Sequence, residues 1–67
     1  MGLIEVFDEE GDVLLFEMRT EFMPRVGETI SRQAEDYFHY FQVKDVWYRE
    51  EPSSEKFVPC LAVKLNE

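Results

Sequence analysis

The chain has 67 residues, 45% hydrophobic and 15% aromatic, which is the composition of one small folded domain and not of a disordered or fibrous chain. Its net charge of −8, fifteen Asp and Glu against seven Lys and Arg, repels phosphate backbones and leaves no clustered basic face for direct nucleic-acid binding. One cysteine, Cys60, cannot form an internal disulfide, and one histidine, His39, cannot complete a four-ligand zinc site with it, so no metal or other cofactor is expected.

Ten aromatic side chains therefore have to supply the core. A domain of this size buries only about 60% of the surface its unfolded chain exposes, so its stability is marginal and oligomerisation would help it. No apolar run approaches the length of a membrane span, and no basic, apolar, small-residue leader opens the sequence. A cytoplasmic protein with no membrane partner is expected, and residues 1–67 read as a single small β-barrel-like domain.

In chain order, Leu3 to Phe7 and Val13 to Arg19 are two short apolar runs, with Asp8 to Asp12 and Gly11 between them as turn chemistry. This predicts a β-hairpin. Strand alternation puts Ile4 and Val6 on one face of the first run and Leu14, Phe16 and Met18 on one face of the second, with Glu5, Glu17 and Arg19 on the wetter side. Pro24 and Gly27 mark a turn leading into a strand at about Glu28.

Residues 28–41 are ambiguous. Ile30, Ala34, Tyr37, Phe38 and Phe41 match a helical stripe, yet the aromatic density from Tyr37 through Tyr48 is that of a strand. A strand is expected from Tyr37, and Ser31 to Asp36 is read as a loop or one helical turn. Phe41 and Val43 alternate, but the next apolar residue is Val46, so Lys44 and Asp45 signal a bulge that bends the strand. Glu50 to Lys56 is a polar turn, and Phe57 to Leu65 a closing strand in which Pro59 marks a sheet edge or bulge. The expected fold is mostly β: a small, strongly bent antiparallel barrel of about five strands, with one short helix between residues 29 and 41 as an option.

The segment Pro24-Arg25-Val26-Gly27-Glu28-Thr29-Ile30, followed by Phe41 to Trp47 with Val43 and Val46, and by Leu61 to Leu65, resembles small Src-homology-3-like barrel proteins of phages, integron gene cassettes and other mobile elements. The shared pattern is P-x-x-G-E-x-I before a strand carrying V-x-x-V, over roughly residues 22–65. The resemblance implies a fold and a mobile-element setting and carries over no catalytic residue. An opening segment like A-L-Y-D-Y, found in the signalling members of that barrel class, is missing, so proline-rich peptide binding is not implied.

Few residues invite chemistry. Cys60 has no cation or helix terminus beside it in sequence to lower its thiol pKa, and a buried, inert thiol is expected. His39 sits in an aromatic run as a structural or surface residue, and the pairs Glu35-Asp36 and Glu50-Glu51 fall in turns as solvated carboxylates. Glu5, Asp8, Glu9, Glu10 and Asp12 form an acidic patch. An EF-hand count from Asp8 puts Val13 where glycine belongs and Arg19 where the distal glutamate belongs, which removes calcium. No enzyme is expected.

The aromatic set of residues 37–48 carries more weight. Alternation cannot bury all of these rings against one small core, so Tyr37, Tyr40, Trp47 and Tyr48 are the candidate contact residues. The leading expectation is a non-enzymatic interaction module, binding its own copy as a homodimer or higher oligomer and beyond that another protein. An acidic mimic of nucleic acid that inhibits a DNA- or RNA-binding protein is the alternative. A small-molecule pocket between subunits is third, because a chain this short leaves little interior for one.

Overall fold

The computed structural model describes residues 2–66, without the side chain of Ala34. Five strands follow one another: β1 Gly2–Phe7, β2 Leu14–Thr20, β3 Thr29–Ala34, β4 Tyr37–Glu50 and β5 Phe57–Asn66. They form one sheet in the order β2-β1-β5-β4-β3, strongly curled into a half-barrel. The mostly-β, five-strand expectation holds. Three pairings are antiparallel, while β1 and β5 run parallel through Glu5–Cys60, Val6–Leu61 and Phe7–Ala62, so the sheet is mixed.

The first turn forms as its residues dictate. Gly11 N donates to Asp8 O at 2.9 Å, and Gly11 takes a φ of 77° that a side chain would resist. The Asp8 carboxylate accepts from the backbone N–H groups of Asp12 at 2.9 Å and Val13 at 3.2 Å. Glu28 N donates to Arg25 O at 3.0 Å around Gly27, whose φ of 95° at the third turn position is the type II pattern.

Residues 29–41 contain no helix. Thr29 to Ala34 is an edge strand joined to β4 by the two-residue turn Glu35-Asp36, with Glu35 at a φ of 59°. The expectation of a loop or helical turn over Ser31 to Asp36 fails for a physical reason. β3 is an edge strand half-turned to water, so Ser31, Arg32 and Gln33 carry none of the apolar density by which a strand is recognised.

The bulge lies where the broken period places it. Val43 pairs with Val63 and Asp45 with Ala62, leaving Lys44 without a partner across the ladder. Asp45 Oδ1 accepts from Val46 N at 2.9 Å. On the other side, Gly27 N donates to Val43 O and Val43 N to Glu28 O, both at 2.9 Å, so the turn before β3 is stitched beside the bend. Pro59 stands one residue outside the parallel ladder that begins at Cys60.

The core sits on the concave face. Ile4, Val6, Val43, Leu61 and Val63 are buried, with Phe16, Met18, Met23, Ile30, Phe41 and Val46 packed around them. Cys60 and Ala62, on the convex face of the same central strand, are buried too. Strands β2 and β3 are the edges of the sheet, and side chains bridge the seam between them. Phe16 of β2 packs at a tilt against Phe41 of β4, 5.4 Å between ring centroids, and the Arg32 guanidinium of β3 lies 4.2 Å over the Phe16 ring.

Candidate functional site

The four aromatic residues singled out from the sequence do not form one surface. Phe41 and Val46 pair with Leu65 and Leu61, so the bulge shifts the alternation of β4 by one residue between them. Tyr37 and Tyr48 thereby fall on the concave face and Tyr40 and Trp47 on the convex face. Tyr37 and Tyr48 are eleven residues apart, about 36 Å along an extended strand. Tyr37, Tyr40 and Tyr48 are exposed, but Trp47 is half-buried against Phe7, with ring centroids 5.7 Å apart. The β1–β2 turn also reaches it, because a Cβ on Gly11 would stand 3.6 Å from Trp47 Cη2.

The acidic patch is divided as well. Glu5 projects to the convex face and pairs with Arg49, 44 residues away, through Nε to Oε1 at 2.9 Å and Nη2 to Oε2 at 2.8 Å. This bidentate pair holds the Glu5 carboxyl below its ordinary pKa, burial opposing the effect, and raises that of Arg49. Asp8 is spent on its own turn, whose backbone N–H groups lower its pKa. Glu9, Glu10 and Asp12 stand exposed. Glu9 and Glu10 border a shallow cleft of about 340 Å³ with Gly11, Asp45, Trp47 and Ala62. Among the described residues no cluster of His, Cys, Asp or Glu is placed to hold a metal ion.

Cys60 is fully buried, its Sγ 3.9 Å from Glu5 Oε1 and 3.5 Å from Val58 O. Burial first, then the neighbouring Glu5 charge, pushes the thiol pKa up, the opposite of what a nucleophile needs. His39 packs edge-on against Tyr37 at 5.0 Å on the concave face, whereas Cys60 is on the convex face, so the two cannot act as base and nucleophile on one substrate.

Besides Phe38, 52% exposed next to Tyr37, two further exposed rings fall outside the residues singled out from the sequence. Phe22, at 72%, and Phe57, at 64%, are the most exposed aromatic side chains. Ile4, Phe22, Met23, Tyr48 and Pro59 line a second cleft, of about 250 Å³, at one end of the concave face. Phe57 lies on that face by alternation from Leu61 through Pro59. The signal available in the sequence was positional: both rings flank turns at strand ends, where neighbours to cover them run out.

Among the described residues no helix is long and apolar enough to cross a membrane. Comparison with protein-family models, with curated proteins and with solved structures returns no match.

Proposed function

We propose that this chain is a non-enzymatic protein-interaction module that self-associates through aromatic side chains its own fold leaves in water. One observation carries the reading. Six of the ten aromatic residues, Phe22, Tyr37, Phe38, Tyr40, Tyr48 and Phe57, are 48% to 72% exposed in the single chain. Scattered exposed apolar residues are ordinary, but this density of rings on 67 residues is what interfaces use. The resemblance to small mobile-element barrels agrees with a module that works by contact and brings no chemistry of its own.

Light scattering at micromolar concentration tests it: the reading expects twice the chain mass or more, little changed between about 0.1 and 1 M salt, where exposed charges are screened. The competing reading, an acidic mimic seated in the basic site of a nuclease, repressor or defence protein, draws on Glu9, Glu10 and Asp12 in solvent. Its signature is a monomer whose binding to a basic partner collapses with salt.

A further inference from the structure

The cleft lined by Ile4, Phe22, Met23, Tyr48 and Pro59 measures about 250 Å³. The cleft opens broadly to solvent, and its apolar lining of Ile4, Phe22, Met23 and Pro59 suits a phenyl ring laid against it. Phe57 stands beside this cleft, on the same face and 64% exposed. A projecting ring next to an apolar cleft is self-complementary, which is what a two-fold contact between identical surfaces requires.

The areas point the same way. A folded chain of 8.0 kDa exposes about 4,450 Å² as a monomer, and this one exposes 4985 Å², about 500 Å² more. Phe22, Tyr48 and Phe57, 72%, 58% and 64% exposed, leave on the order of 400 Å² of aromatic surface in water at about 200 Å² per ring. That is about half of the roughly 800 Å² each partner contributes to a stable interface. Two copies each carrying −8 repel, and at this end Glu21 lines the cleft and the exposed Glu50 pairs with Phe57, so the apolar contact has to outweigh that repulsion. The rings of the β3–β4 hairpin make no such site, since Tyr37 lies on one face and Phe38 and Tyr40 on the other.

We propose that a second copy of this chain covers this end of the half-barrel, the Phe57 ring of each copy seating in the Phe22–Tyr48 cleft of the other. The inference rests on the self-association reading and adds its surface and geometry. Sedimentation velocity over a concentration series on the intact chain and on Phe57→Ser, Phe22→Ser and Tyr40→Ser, each shown folded by circular dichroism, tests it. The expected result is a dimer for the intact chain and for Tyr40→Ser, with dissociation constants raised about thirtyfold or more in Phe57→Ser and Phe22→Ser. Phe57→Ser and Phe22→Ser dimerising as tightly as the intact chain overturns this interface and leaves self-association standing. A monomeric intact chain at every concentration overturns both.

Discussion

Two regions of the concave face treat the same kind of side chain in opposite ways. At the seam, Phe16 is packed on Phe41 and covered by Arg32, because β2 and β3 curl toward each other there. At the other end, Phe22, Tyr48 and Phe57 stay in water. The difference is strand pairing. β4 has 14 residues and β5 has 10, whereas β1 has 6, and its ladder with β5 reaches only Cys60. Where Phe57 pairs with Glu50, β5 has lost its pairing with β1, and among the described residues no ladder flanks it on that side. An aromatic residue is therefore core or surface here according to what faces it, and its identity alone does not decide.

Substitutions sharpen that contrast. The largest loss is expected for Leu61→Ala, which opens a cavity beneath the central strand and costs about 2–5 kcal/mol in equilibrium denaturation. Phe16→Ala follows at about 2 kcal/mol, since its ring is half-buried in the seam, while Phe57→Ala changes monomer stability by no more than about 0.5 kcal/mol. Equal losses for the two phenylalanines would mean that Phe57 is already covered within one chain.

On the convex face Glu5→Gln keeps the shape but removes the charge that Arg49 grips, and is expected to cost about 1–2 kcal/mol near neutral pH. Its acid dependence has a definite sign. The folded-state pKa of Glu5 is depressed, so its contribution is complete above the ordinary value of 4.5 and is lost as pH falls through the lowered one. Asp8, depressed from 3.8 by its turn, behaves likewise. Acid unfolding followed by circular dichroism should therefore be less steep in Glu5→Gln, with the remaining slope reduced further by Asp8→Asn. The smallest of the expected losses in the turns and ion pairs is Gly11→Ala, about 1 kcal/mol from the left-handed φ, because its new Cβ would meet Trp47 at the ordinary distance of 3.6 Å. Thermal unfolding measures it, and a loss several times larger would show that the turn presses on the tryptophan.

The parts of the fold legible in the sequence are those set by neighbours in the chain. Asp8 to Gly11 announces its turn, and the gap from Val43 to Val46 announces the bulge, because backbone geometry and period act locally. The parallel meeting of β1 with β5 brings together Glu5 and Cys60, 55 residues apart, and no local pattern encodes it. The Glu5–Arg49 pair was hidden in the same way: Glu5 counts as one more acid in a charged run, although flanking Ile4 and Val6 already place it on a strand face and away from the turn acids. An excess of rings over core was legible from composition. Which rings remain outside was not, since one residue of bulge in β4 exchanges the faces of everything beyond it.

Hydroxyl-radical footprinting of the unmodified chain, read residue by residue at high concentration and after dilution, tests the central claim most directly. Phe22, Tyr48 and Phe57 should be protected when concentrated and modified when dilute, while Tyr40 and Phe38 are modified equally in both. Uniform modification of all five at every concentration would contradict the account.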